Sequence, residues 1–151
     1  MGTINKKIFY FCIVLVFILG VFLLLGRNIS TNNIRYVKIA GQTIKVDLAL
    51  TPETQAQGLS GRKTLKEDEG MLFIFAQPGR YSFWMKDMNF PIDIIWLNEN
   101  LQVVFIEKNL LPASYPQTFT PLGTSKYVLE VQAGFAEKNN LEDGDSAQFL
   151  P

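Results

Sequence analysis

The distribution of apolar and polar residues divides the chain into two parts. Residues 8–25 carry no charged side chain and almost no polar atom. As a helix of about 1.5 Å per residue, this run would span roughly 27 Å, close to the hydrocarbon thickness of a bilayer. A helix packed on a protein core would show a polar face, and this run shows none. The pattern predicts a transmembrane anchor over residues 8–26, preceded by residues 1–7 and followed by a linker over residues 27–33.

The rest of the chain, residues 34–151, shows the short alternating pattern of β-strands. Thr51 and Pro52 suit the N-cap and first position of a short helix that Gly58 would end, and "GFAEKNN" adds a helical turn. The prolines of residues 111–125 predict an extended loop. Turn residues at this spacing favour a mainly β domain, a small sandwich or barrel with one or two short helices. Strands are predicted at residues 34–39, 43–50, 71–76, 81–88, 92–97, 101–108 and 126–133, with a last short strand within 143–149.

Charges beside the apolar run indicate its orientation. Lys6 and Lys7 precede it, and no acidic residue occurs before Asp47. The positive-inside rule therefore places the N-terminus in the cytoplasm and residues 34–151 outside the cell membrane. A cleaved signal peptide is the less favoured alternative, because the run exceeds the usual apolar length and no A-x-A-like site follows it.

Composition excludes several classes of function. Residues 34–151 carry 11 of the 14 basic residues and all 14 acidic ones, and this negative balance argues against nucleic acid as a partner. The chain has no histidine, and its single cysteine lies in the apolar run, so Ser-His-Asp, Cys-His and ordinary zinc sites are excluded. No phosphate-binding glycine loop occurs. We expect no metal and no cofactor, and "DGD" at residues 143–145 is interpreted as a turn.

The stretch "FWMKDMNFPIDIIWL", residues 83–97, places charged residues among large apolar ones. Burying an unpaired charge costs several kcal/mol, so these residues either form a site or pair with other groups. By alternation, Asp93 shares a strand face with Ile95 and Leu97, which makes it the first candidate for a buried carboxylate. Glu130, which shares its face with Val128, is the second.

Two interpretations of these acids remain open. Asp93 and Glu130 could be the acid and base of a glycosidase-like site. Alternatively, they could accept backbone N–H groups or pair with Lys86 and Arg62 as structural groups, which is the interpretation we favour. The aromatic residues Trp84, Trp96 and Tyr81 add a third element, since aromatic faces beside acids commonly bind sugars or peptides.

Three blocks of the sequence resemble one family. They are "GLSGRKTLKEDEGMLFIF" (58–75), "FWMKDMNFPIDIIWL" (83–97) and "YVLEVQAGFAEKNNLEDGD" (127–145). In one collinear order over about residues 37–149, they are similar to domain of unknown function 192, also called uncharacterised protein family 0127. The resemblance implies a small jelly-roll or sandwich domain, often behind an N-terminal signal or anchor, with no settled activity. Many relatives carry arginine near Gln55, so a carboxylate paired there would need another cation in this chain, and Arg62 and Lys86 are the candidates.

We therefore predict a membrane-anchored, extracytoplasmic domain that binds a small ligand or a component of the cell envelope. The ligand-binding candidates are Trp84, Lys86, Asp87, Asp93, Arg62 and Glu130. One alternative is a carboxylate-dependent hydrolase of envelope glycans that uses Asp93 and Glu130. Another is a structural partner of a further membrane protein, which requires only an exposed apolar patch. Membrane lipid around residues 8–26 and a small molecule or envelope glycan are the predicted partners.

Overall fold

The computed structural model describes residues 33–151, which belong to one compact unit. The predicted cytoplasmic residues 1–7, the anchor 8–26 and nearly all of the linker lie outside the described residues. Within residues 33–151, no helix has the length and apolar character needed to cross a membrane.

The described chain is mainly β, as the sequence predicted. Nine strands, two short α-helices and one 3-10 helix follow one another along residues 36–150. In chain order they are β1 (Tyr36–Ile39), β2 (Gln42–Ala49), α1 (Pro52–Gln57), β3 (Glu69–Gly79), β4 (Phe83–Trp84), β5 (Ile92–Leu97), β6 (Val103–Leu110), the 3-10 helix (Pro112–Ser114), β7 (Thr118–Phe119), β8 (Ser125–Gln132), α2 (Phe135–Lys138) and β9 (Gln148–Leu150).

Seven strands form one curled sheet in the order β6-β5-β8-β3-β2-β1-β9, and β4 pairs with β7 in a separate ribbon. All neighbours in the large sheet are antiparallel except β2 and β3, which are parallel. Parallel neighbours need a long crossover, and α1 with the loop after it supplies one. The two outer strands meet at one end, where Gln102 bridges to Ser146 and the Val103 N–H donates to the Asp145 carbonyl at 2.8 Å. The sheet is therefore a curled half-barrel, whereas the sequence left a small sandwich and a small barrel open.

Each face of the curled sheet has its own core. Strand β5 is buried along its whole length and serves both: Ile95 and Leu97 belong to one cluster, whereas Ile94 and Trp96 belong to the other. The first cluster includes α2 through Phe135. The second is covered by the loop after α1 and by the β4–β7 ribbon. A strand buried on both faces explains why "IDIIWL" is nearly continuous in apolar residues.

Two predicted segments were wrong in detail. The strand predicted over residues 81–88 is limited to Phe83–Trp84, because the chain turns at Asp87, whose φ is 55°. Residues 111–125, predicted to be an extended loop, contain the 3-10 helix and β7, which pairs with β4. The short partner strand explains why β4 is equally short.

Candidate functional site

Asp93 is a structural acceptor. Its side chain is fully buried on β5. Oδ1 accepts the backbone N–H groups of Asn109 at 2.7 Å and Gly134 at 3.2 Å, and Oδ2 accepts that of Ala136 at 2.8 Å. One carboxylate thus ties β5 to the end of β6 and to the first turn of α2. This is the structural arrangement that we favoured for Asp93 from the sequence.

Glu130 faces the opposite side of the same sheet. In the β5–β8 register, Asp93 pairs with Val131 and Ile94 pairs with Glu130. Adjacent residues of a strand point to opposite faces, so the two carboxylates are separated by the sheet itself. The structure does not bring Asp93 and Glu130 into one cleft. The acid and base pair suggested for a hydrolase is therefore not formed by these two residues.

Glu130 lines a cavity of about 320 Å³, called here the Glu130 cavity. One wall comes from α1 and the residues that follow it, a second from β3, and a third from the segment that leads into β4. The lining includes five aromatic rings and a single carboxyl group, that of Glu130. The lining residues are Gln55, Ala56, Gln57, Gly58, Leu59, Ser60, Phe73, Phe75, Tyr81, Ser82, Phe83, Trp84, Met88 and Glu130.

The wall formed by α1 depends on local sequence signals. Thr51 caps the helix by accepting the Thr54 N–H at 3.3 Å, and Pro52 occupies the first helical position, as predicted. Gly58 ends the helix at a φ of +51°, where it lies against Phe73 and the Glu130 carboxylate. A Cβ at Gly58 would stand 3.4 Å from the Phe73 ring and 3.9 Å from Glu130 Oε2. A Cβ would make only ordinary contacts there, so it is the positive φ that favours glycine at the helix end.

Aromatic packing fixes the other walls. Phe75 and Tyr81 stack with ring centroids 3.5 Å apart, and Phe83 meets the Phe73 ring edge-on at 4.8 Å. Trp96 lies behind them in the core, fully buried, with its Nε1–H donating to the Tyr81 carbonyl at 2.9 Å. These contacts hold the rings in place without any ligand, so the cavity is preformed.

Trp84 forms the rim of the cavity and is 47% exposed. Its ring meets Tyr115 edge-on at 5.8 Å, and the Lys86 ammonium lies 5.7 Å from its centroid, within range of a cation–π contact. The rim is tied to the α1 side because Ser60 Oγ donates to the Lys86 carbonyl at 2.8 Å. An exposed, positioned indole beside a cavity is a ready contact for a ligand.

The Glu130 carboxyl group is buried without compensation. Its side chain is 5% exposed, and no group in residues 33–151 forms a hydrogen bond to Oε2. Burial raises the pKa of Glu130 to about 8, and the positive charge of Arg62 opposes that rise only in part. The Glu130 carboxyl group therefore holds a proton at neutral pH.

Neither cation proposed from the sequence pairs with Glu130. Arg62 instead donates to Asp47 at 2.7 Å, in an ion pair at the surface. Lys86 lies over the Trp84 ring. Gln55 donates through Nε2 to the carbonyls of Ile74 at 3.0 Å and Ala49 at 3.3 Å. The Glu130 carboxyl group thus forms no ion pair within the described chain.

Two of the six predicted site residues, Trp84 and Glu130, lie together in the cavity. Arg62, Lys86, Asp87 and Asp93 do not line it. Tyr81, named from the sequence as a candidate aromatic contact, also lines it, whereas Trp96 is buried in the core. Sequence reasoning missed the other lining residues, above all Gly58 and Phe73. The "GLSG" turn was visible as a signal, but its contact with β8 depends on strand order, which the sequence does not give.

A second cavity, of about 410 Å³, lies between the start of β2 and α2. Its charged lining residues include Glu67 and Lys138, which form an ion pair with each other at 2.8 Å. Within residues 33–151, no group of three His, Cys, Asp or Glu side chains is arranged to hold a metal ion. The Glu130 cavity is the stronger candidate because its acidic group is buried and unpaired.

The fold and this cavity define a small half-barrel β domain with an aromatic, acidic pocket. The chain belongs to the family of domain of unknown function 192, described as uncharacterized ACR, whose family model matches residues 35–149. The resemblance found in the sequence is thereby confirmed. A comparison with curated proteins gives no match.

Solved structures show the same fold. One is a protein of unknown function from Novosphingobium aromaticivorans, with a TM-score of 0.72 and 30% identity over 76% of this chain and 84% of that one. Another is a "putative transcription regulator" from Sinorhizobium meliloti, with a TM-score of 0.71 and 28% identity over 76% of this chain and 92% of that one. The half-barrel is thus similar to the folds of these two proteins.

Proposed function

We propose that residues 34–151 form a binding domain for a small ligand and that the Glu130 cavity is its site. The observation that carries this proposal is a buried carboxyl group with an unpartnered oxygen in a preformed, aromatic cavity. A concave, largely apolar pocket with one polar group is the usual form of a small-molecule site. Groups with strongly shifted pKa values concentrate at such sites.

The energetic cost of Glu130 supports a functional role. An uncompensated buried polar group costs about 1–3 kcal/mol, and a buried charge costs more. A typical domain has only about 5–15 kcal/mol of net stability. A leucine or methionine at residue 130 would avoid this cost, since the rest of the second core cluster is apolar. A ligand that supplies the missing partner gives a physical reason for the acid.

The proposed location follows from the N-terminal sequence. In this proposal residues 8–26 anchor the chain in the cell membrane, the N-terminus lies in the cytoplasm, and the cavity opens outside it. The ligand of the cavity would then be a small molecule or an envelope component. The acidic balance of residues 34–151 gives no support for carrying over the transcriptional role printed for the Sinorhizobium meliloti relative.

One observation favours a second candidate, a structural role beside another protein. Leu111, Tyr115 and Leu122 expose 57%, 45% and 87% of their surface within one short segment. Clustered exposed apolar side chains are typical of protein contacts. The hydrolase alternative has no such support, because Asp93 and Glu130 lie on opposite faces.

Trp84 emission provides a test of the binding function. The full-length chain, in a non-ionic detergent, would be titrated with N-acetylglucosamine, pentylammonium, 1-pentanol and pentanoate. We expect at least one of these probes to change the emission. Trp84→Phe should remove this signal and weaken binding, measured by calorimetry, by about 0.5–1.5 kcal/mol, the scale of one aromatic contact.

A matched pair of variants on α1 locates the site. Ala56 and Glu53 are both exposed on this helix, but only Ala56 lines the cavity. Ala56→Trp should block binding by filling the cavity, whereas Glu53→Trp should leave it unchanged. Equal binding by both variants, or no binding of any probe to the unsubstituted chain, would refute the proposal and favour the structural role.

A further inference from the structure

We infer that the ligand of the Glu130 cavity is a small organic ammonium ion, whose N–H group donates to Glu130 Oε2 and whose body lies among the aromatic rings. This inference rests on the proposed function and names the chemical class of its ligand. It is carried by the composition of the lining and by the buried, unpartnered acceptor.

The lining is suited to a cation. It includes the rings of Phe73, Phe75, Tyr81, Phe83 and Trp84, and it contains no lysine or arginine. The faces of aromatic rings carry partial negative charge and attract ammonium groups, most strongly where water is excluded. No lysine or arginine lines the cavity to receive a carboxylate ligand; Lys86 lies at the rim, over Trp84, and Arg62 acts on Glu130 from outside the lining. A neutral ligand would leave Glu130 protonated, whereas an ammonium ion can compensate its ionised form.

When Glu130 ionises, Oε2 has no donor within residues 33–151, and in this inference the ligand supplies one. Arg62, which is near enough to oppose the pKa rise of Glu130, donates through one Nη2–H to Asp47 at 2.7 Å and forms no hydrogen bond to Glu130. The amide group of Gln55 also lines the cavity but donates to two backbone carbonyls. An N–H donor on a bound ammonium would form a charge-assisted bond, which is about twice as strong as a neutral one.

The titratable groups around Glu130 come from four elements. Asp47 on β2 lies two strands from Glu130, because both residues pair with Met71 of β3. Glu107 on β6 lies two strands away on the other side, because it and Glu130 both pair with Ile94 of β5. Arg62 lies in the loop after α1, and Tyr81 lies before β4. Asp47 is paired with Arg62, and the Tyr81 hydroxyl donates to the Gln77 carbonyl at 2.6 Å. Glu107, whose pKa burial also raises, is the one group of this set that could be confused with Glu130 in a titration.

Binding should exchange a proton for the ammonium. Glu130 is protonated at pH 7 when no cation is bound, since its pKa is raised to about 8. When an ammonium enters, the carboxyl proton leaves to solvent and the cavity keeps its net charge. The affinity for a cation should therefore fall about tenfold for each pH unit below that pKa. Above it, the affinity should level off.

The test uses three probes of similar shape and different charge on the full-length chain in a non-ionic detergent. They are pentylammonium, which like a lysine side chain keeps its proton below about pH 10, 1-pentanol and pentanoate. At pH 9 we expect pentylammonium to bind at least about tenfold more tightly than 1-pentanol, and pentanoate to bind least. Calorimetry at pH 7 in buffers of different ionisation enthalpy should show close to one proton released.

Glu130→Gln should lower pentylammonium affinity at pH 9 by about tenfold or more and abolish proton release. The matched variant Glu107→Gln should change neither. If Glu130→Gln fails to fold, the proton release and the pH profile of the unsubstituted chain still decide. Equal binding of pentylammonium and 1-pentanol, or binding without proton release, would overturn the cation inference and leave the binding function standing. No binding of any probe, pentanol and N-acetylglucosamine included, would remove the proposed function as well.

Two sources carry an ammonium group near a membrane, a free amine and an ethanolamine lipid headgroup. Phosphatidylglycerol vesicles with and without phosphatidylethanolamine distinguish them. Loss of pentylammonium binding only in the presence of phosphatidylethanolamine assigns the headgroup, and unchanged binding assigns a free amine. Both results support the ammonium class, and competition by phosphatidylglycerol alone would overturn it.

Discussion

Replacing Asp93 by asparagine isolates the structural role of one buried carboxylate. The side chain keeps its shape, and its remaining oxygen can still accept the N–H groups of Asn109 and Gly134. The new amide nitrogen, however, takes the place of Oδ2 and faces the Ala136 N–H, so two buried donors meet. We expect Asp93→Asn to destabilise the fold strongly.

The magnitude follows from these contacts. One charge-assisted hydrogen bond of about 1.5–3 kcal/mol is lost, and leaving a buried donor unpaired costs about 1–3 kcal/mol more. The sum predicts a loss of about 2.5–6 kcal/mol in the free energy of unfolding. For a domain of this size, each 1 kcal/mol lowers Tm by about 4 °C, so Tm should fall by roughly 10–24 °C.

Urea and thermal unfolding of the full-length chain, followed by circular dichroism, measure this loss. The amide hydrogen of Ala136 should also exchange faster, because it has lost its acceptor. Asp87→Asn is the matched control, since Asp87 is exposed and asparagine tolerates its positive φ. A Tm for Asp93→Asn within about 2 °C of the control would refute the structural assignment.

Three further predictions concern other parts of the molecule. The unfolded chain releases the Glu130 proton near pH 4.5 and the folded chain only near pH 8. As the pH rises between these values, the free energy of unfolding of the unsubstituted protein should fall by about 1.4 kcal/mol per pH unit. Glu130→Gln should remove this slope in urea titrations at pH 5, 7 and 9, and parallel profiles would contradict the raised pKa. Gly70→Ala should cost about 1–3 kcal/mol by the same assay, because its Cβ would lie 2.6 Å from the Glu130 carbonyl oxygen, whereas Gly123→Ala, with nothing within 4 Å, should be neutral. Alkaline phosphatase fused after Pro151 should be active and membrane-bound if residues 8–26 are an anchor, and an inactive fusion would count against the proposed topology.

Local chemistry made some elements predictable. Helix α1 was predicted from Thr51, Pro52 and Gly58, because a cap, a first-turn proline and a terminal glycine act within a few residues. Strand β5 was predicted with its observed bounds. The face of Asp93 was also predicted correctly, since it packs on the side of Ile95 and Leu97, away from Ile94 and Trp96.

Strand order and register could not be predicted from the sequence, and this limited the prediction of the site. The sequence placed Asp93 and Glu130 each on an apolar face, but alternation within one strand says nothing about which face of a neighbouring strand it matches. Only the β5–β8 register shows that the two acids lie on opposite sides. The walls of the Glu130 cavity were hidden for the same reason. Gly58 and Phe73 are far from Glu130 in sequence and meet it only through the β3–β8 pairing and the turn after α1.

The contact between the start of β6 and the residues before β9 also affects whether two copies of the domain can pair through their sheet edges. An open sheet edge can recruit a strand from a second molecule and begin aggregation. Here the start of β6 is occupied by Asp145 and Ser146, and its remaining length carries Glu107 and Lys108 before the chain bends at Asn109, whose φ is 55°. Occupation, charge and a bend each discourage strand addition. If the proposed anchor confines the protein to a membrane plane, where neighbours meet often, this protected edge keeps the domains from joining into continuous sheets.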